Sequence, residues 1–115
     1  MALYENLPVY KAAYDLLIES FKMCRNLERD FRYTIGESLK QNIMDIMVDI
    51  YRANSCTDKT SLLAGARERL VIVRLQLRLL RDLKQISIKT FALQSERQES
   101  LSKQLAAWHK SCRNQ

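Results

Sequence analysis

Four arginines, Arg67, Arg74, Arg78 and Arg81, recur at intervals of seven, four and three residues, and Lys84 follows three residues later. At 3.6 residues per helical turn these intervals gather the guanidiniums into one narrow band, joined by Gln85 and flanked by Lys84. Between Lys59 and Lys89 there are eight Lys or Arg and only two acids, Glu68 and Asp82; this local balance of +6 equals the net charge of the whole chain. No acid falls inside the band, and Asp82 stands beside it in sequence. An unneutralised row of guanidiniums attracts phosphate. Because each phosphate contact releases counterions, the expected binding is sequence-tolerant, of about micromolar affinity and steeply weakened by salt. The competing reading is a solvated face with ion pairs to neighbouring helices.

Other residue types offer less. Catalysis calls for a polarised nucleophile, a general base or a metal held by convergent ligands, and the chain has one His, no glycine-rich phosphate loop and no zinc-type spacing. It reads as a non-enzyme without cofactor or metal. His109, beside Lys110 in a last helical turn, is expected to be partly cationic and to complement the helix dipole. Asp45 and Asp49, one turn apart and away from Ile43, Ile46 and Ile50, read as a solvated or interface face, with Arg52 able to pair with Asp49. Tyr10, Tyr14, Phe21, Phe91 and Trp108 recur at helical spacing and read as core rather than as base-stacking platforms, while the hydroxyls of Tyr33 and Tyr51 need water or a partner. Cys24, Cys56 and Cys112 form an odd, widely spaced set and read as structural free thiols.

The elements that position the band follow from periodicity. A chain of 115 residues with two Gly and one Pro has the size of one domain and predicts an all-α fold. Helices are expected over 8–25, 34–54, 61–84 and 88–111, and the short connections favour an antiparallel up-down-up-down four-helix bundle. Pro8 suits a first helical turn, and Tyr10, Ala13, Leu17 and Phe21 mark the inner side of the first helix. Thr34 and Glu37 have capping-box spacing at the start of the second, whose seam is Leu39, Ile43, Ile46, Ile50 and Ala53. The third buries Leu63, Ala66, Leu70, Val73, Leu77 and Leu80. In the fourth, Phe91, Leu101, Leu105 and Trp108 face inward, and the polar run from Ser95 to Ser100 predicts a loosely packed or wet middle. The amino terminus lacks the pattern of a secretory signal, and no apolar run approaches the ~20 residues that span a bilayer. The expectation is a cytoplasmic protein with no membrane association.

The third helix has a second apolar stripe. Ile72, Leu75, Leu79, Leu83 and Ile86 lie about 150° from the first seam. Five aliphatic residues there exceed what a soluble monomer normally exposes, so self-association is expected. A ring of identical subunits would multiply the arginine bands.

The segment Phe31-Arg32-Tyr33-Thr34-Ile35-Gly36-Glu37-Ser38-Leu39, the pair Ala53-Asn54 and the run from Arg74 to Ser87 resemble the accessory variability determinant (Avd) family of diversity-generating retroelements. Leu7-Pro8-Val9-Tyr10 and Trp108 are similar as well, so the likeness covers most of the chain, and RYTIGE is its most specific part. The resemblance implies a basic four-helix protein, pentameric, that binds RNA or DNA and associates with the element's reverse transcriptase during mutagenic copying of a template repeat. It makes Arg67, Arg74, Arg78, Arg81 and Lys84 the candidates for nucleic-acid or polymerase contact. The chain departs from the family pattern in the polar run Glu96 to Ser100 and in Ala106-Ala107 before Trp108. The alternatives are a four-helix protein encoded in an intervening sequence of a 23S ribosomal RNA gene, or an oligomeric scaffold without a nucleic-acid role.

Overall fold

The computed structural model of the chain describes residues 3–113. Four long helices dominate: α1 (Pro8–Cys24), α2 (Glu37–Ser55), α3 (Thr60–Asp82) and α4 (Ile88–Arg113). Among the described residues there is no strand. Contacts run from α1 to α2, α2 to α3, α3 to α4 and α4 back to α1. With helices about 10 Å across, a body of 45 × 20 × 20 Å is two helices by two in section.

Pro8 occupies the first turn of α1, where its missing N–H removes no helical bond. A 3-10 turn, Tyr4–Asn6, precedes it. The start of the second helix differs from expectation. Helical backbone begins at Arg29, after the extended Glu28, and passes through Arg29–Phe31 and a π-helical turn, Arg32–Gly36, straight into α2. Thr34 is inside this stretch, its hydroxyl donating to the Asp30 carbonyl at 2.6 Å, while Glu37 accepts from Lys40 at 2.8 Å. No capping box forms. Leu27 is buried here, and Phe31 and Ile35 pack on the core, so tertiary burial extends the helix upstream of the local signal. Gly36 makes the fit possible: a Cβ there would meet Leu27 Cδ1 and the Phe31 carbonyl oxygen at 3.3 Å.

The other ends are set by side chains and by one unusual residue. Lys59 donates to the carbonyls of Ala53 and Cys56 and so satisfies the end of α2. Asp58 accepts the Thr60 N–H at 3.3 Å at the start of α3. At the end of α3 the Lys84 N–H bonds to the Arg81 carbonyl and the Gln85 N–H to the Leu80 carbonyl, each at 2.9 Å. This is a Schellman motif, with Lys84 in its left-handed position at φ 59°. Ser87 caps α4 by accepting the Thr90 N–H at 3.0 Å. The Glu28 N–H donates to Gln85 Oε1 at 2.9 Å and ties the α1–α2 connection to the α3–α4 connection.

The core joins all four helices. Every residue of the predicted α2 and α3 seams is buried, each large aliphatic one contributing about 1.5–3 kcal/mol by leaving water. On α1, Ala13 and Leu17 are buried as expected, joined by Val9, Leu16 and Met23, but Tyr14 and Phe21 are nearly half exposed. Tyr14 instead stacks on Tyr10, which meets Tyr4 edge-on. On α4, Leu101 and Leu105 are buried, whereas Phe91 and Trp108 are only partly so. In the polar run of α4 Gln98 is buried, whereas Glu96, Glu99 and Ser100 are exposed; just before the run the buried Gln94 donates to the buried Ser20 hydroxyl of α1 at 2.9 Å.

Candidate nucleic-acid interface

Helix α3 presents three faces with different chemistry. Its inner seam fills the core. Its outward face exposes Val71, Ile72, Leu75, Leu79 and Leu83, with Leu75 the most open at 64%. Ile86 does not belong to that stripe. It lies past the Schellman turn, where the chain has left the helix, and it is buried in the core. Val71 takes its place as a member that the original spacing omitted.

The arginine band runs along the side of α3 that meets α4, over about 21 Å from Arg67 to Arg81. Arg74 is exposed and makes no hydrogen bond or ion pair. Arg67 is also exposed and has no carboxylate partner; its guanidinium donates to His109 Nδ1 at 2.9 Å. Arg78 lies 4.0 Å from Asp82, and Arg81 donates to Asp82 Oδ1 through two nitrogens, at 3.1 and 2.8 Å. The guanidinium of Arg81 also covers the Phe91 ring at 4.6 Å. Lys84 sits in the turn beyond the helix end and is exposed. The band is therefore not uniformly unneutralised. Asp82 is four residues after Arg78, a spacing at which helix side chains meet, and it lies between two of the four arginines.

Arg69 has a different role from its neighbours. It turns toward α2, donating to Asp49 at 2.7 Å and lying 3.8 Å from Asp45. Asp49 is buried, not solvated, and its ion pair is with Arg69 rather than Arg52. Burial pushes the Asp49 carboxyl above the usual range, against the opposing pull of Arg69. Asn42 donates to Gln76, and Gln76 to Ser38, along the same seam. The signal for this tie was the spacing of Asp45 and Asp49 at one helical turn, which places both within reach of one long side chain on an adjacent helix.

His109 is buried, and its pKa is lowered by that burial and by the charges of Arg113 and Arg67. A guanidinium only donates, so Nδ1 is the acceptor and the ring is a neutral Nε2–H tautomer. That replaces the expected cationic partner of the helix dipole. The three cysteines are free thiols, Cys24 buried, Cys112 half-buried and Cys56 exposed, so the expected buried setting holds for Cys24 and not for Cys56; no group of His, Cys, Asp and Glu among the described residues is arranged to hold a metal ion. No described helix is long and apolar enough to cross a membrane. This geometry offers a polyanion one free guanidinium, that of Arg74, one shared with the His109 ring and two beside the Asp82 carboxylate, all next to an exposed apolar strip. Neither a protein-family model nor a curated protein matches the chain.

Proposed function

We propose that this chain is a non-catalytic, nucleic-acid-binding accessory protein that assembles with copies of itself and partners a retroelement reverse transcriptase during mutagenic copying. One observation carries the reading: Arg74, with no partner, lies on α3 beside Ile72, Leu75 and Leu79, which are 45%, 64% and 42% exposed. A single helix thus offers phosphate a cation and a sister subunit an apolar strip. The RYTIGE segment and the Arg74–Ser87 run supply the link to the retroelement.

In this reading the bundle is antiparallel and up-down-up-down. The pairings Asn42–Gln76 and Asp49–Arg69, in which numbers rise on α2 as they fall on α3, support that sense. Subunits associate through the outward face of α3 into a ring, five in number by resemblance, and RNA or DNA phosphates follow Arg67, Arg74, Arg78, Arg81 and Lys84. Burying the strip removes an exposed apolar face that a monomer would keep in water. The scaffold reading, without nucleic acid, draws on the pairing of Arg78 and Arg81 with Asp82.

Two measurements test the proposal. Fluorescence anisotropy with labelled RNA and DNA oligonucleotides is expected to show binding that weakens with salt and is reduced in Arg74→Glu; indifference to both rejects the phosphate reading. Light scattering is expected to find an oligomer that Leu75→Asp with Leu79→Asp reduces to a monomer. An unchanged mass rejects the α3 interface.

A further inference from the structure

We infer that Asp82 sets which anions the arginine band accepts, its carboxylate standing where a phosphate would otherwise bind. The inference rests on the phosphate-binding reading above. Asp82 is the sole acid between Glu68 and Glu96, and it is the last residue of α3. A carboxylate there faces the negative end of the helix dipole, and an acid four residues after its basic partner is the less favourable order on a helix. Local helix energetics therefore give no reason for an acid at this position.

The geometry supplies one. Asp82 Oδ1 accepts both Nε and a terminal nitrogen of Arg81, and Oδ2 lies 4.0 Å from Arg78 Nε. Each carboxylate oxygen thus serves one guanidinium. Arg81 is held on its face by the Phe91 ring, so its donor edge stays directed at Asp82. The Asp82 side chain is 53% exposed, which leaves the pair open to competition from solvent. An exposed ion pair is weak, so a polyanion already engaged by Arg74 displaces it, whereas an isolated phosphate gains too little. Asp82 favours ligands that present several phosphates in a row.

The test is Asp82→Asn, compared with wild type in binding a labelled 20-nucleotide RNA over a salt series. Removing the internal competitor is expected to raise affinity about two- to fivefold at low salt and to steepen the salt dependence by about one unit of slope. Inorganic phosphate is expected to compete for binding more effectively in Asp82→Asn than in wild type. Glu68→Gln, which removes an acid of the same helix outside the Arg78–Arg81 pair, is expected to change affinity less. The gain is expected to vanish in Asp82→Asn with Arg81→Gln. Binding by Asp82→Asn alone, with none by wild type, overturns the inference, because a polyanion would then fail to displace the carboxylate. Equal affinity of wild type and Asp82→Asn, or an equal gain in Glu68→Gln, overturns the inference while leaving the phosphate reading intact. Absence of binding by both proteins overturns both.

Discussion

Lys84→Gly separates the folding role of a residue from its binding role. Lys84 holds φ at 59° in the Schellman turn that ends α3, a backbone conformation in which a Cβ crowds the following carbonyl and which glycine adopts freely. The side chain is exposed and makes no ion pair, so no contact is lost on removing it. Relief of the left-handed strain outweighs the extra freedom glycine has in the unfolded chain, for a net gain of about 1 kcal/mol. An unfolding entropy of about 0.24 kcal/mol/K for a chain of this length converts that gain to a rise in Tm of about 4 °C. Circular dichroism melts of wild type, Lys84→Gly and Lys84→Ala measure it; the alanine variant keeps the strain and is expected to melt within about 1 °C of wild type. Nucleic-acid affinity is expected to fall equally in both variants, because both remove the same cation. A Lys84→Gly protein that melts at or below the wild-type temperature refutes the assignment of strain to this turn.

Four other perturbations, at the Arg69–Asp49 pair, His109, Gly65 and Gly36, have signs fixed by the structure. Arg69→Met leaves the Asp49 carboxylate buried without its partner and is expected to cost about 2–3 kcal/mol in urea unfolding, against about 1 kcal/mol for Asp49→Asn, where the partly exposed Arg69 turns to Asp45 or to water. His109 has a lowered folded pKa, so its contribution is complete above the unfolded value near 6.5 and is lost as pH falls through the folded one; between pH 7 and pH 5 wild type is expected to lose more Tm than His109→Gln. Gly65→Ala, whose Cβ would meet only Arg69 at 3.9 Å inside α3, is expected to stabilise by about 0.5–1 kcal/mol. Gly36→Ala, crowded at 3.3 Å by Leu27 and the Phe31 carbonyl, is expected to destabilise by about 1–2 kcal/mol in the same melts.

The parts of the fold legible in the sequence were those where one physical signal dominated. In α2 and α3, aliphatic residues recur at three- and four-residue steps with few interruptions, and each predicted seam residue is buried. The helix ends at Pro8 and Ser87 were readable for the same reason, since each has a single structural use there. Elsewhere two signals competed. Thr34 and Glu37 have capping spacing, yet burial of Leu27 beside Gly36 carries the helix further upstream. Gln94 and Gln98 look like solvent residues, because composition carries no sign that Ser20 waits across the core. For the candidate site, the exposure of Arg74, Arg78, Leu75 and Leu79 followed from angular position alone. The diversion of Arg67 to His109, of Arg69 to Asp49 and of Arg81 to Asp82 and Phe91 did not, since three of these four partners lie on other helices.

The Ser20–Gln94 pair also governs how α1 and α4 can slide. Leucine side chains are nearly interchangeable along a seam, so an apolar interface alone tolerates displacement by one helical turn. A buried amide is not interchangeable. Moving α4 by a turn would strand the Gln94 amide and the Ser20 hydroxyl away from water, at about 1–3 kcal/mol for each orphaned group. One glutamine thereby fixes the axial register of the longest helix against α1, as the Arg81–Phe91 and Arg67–His109 contacts mark its register against α3.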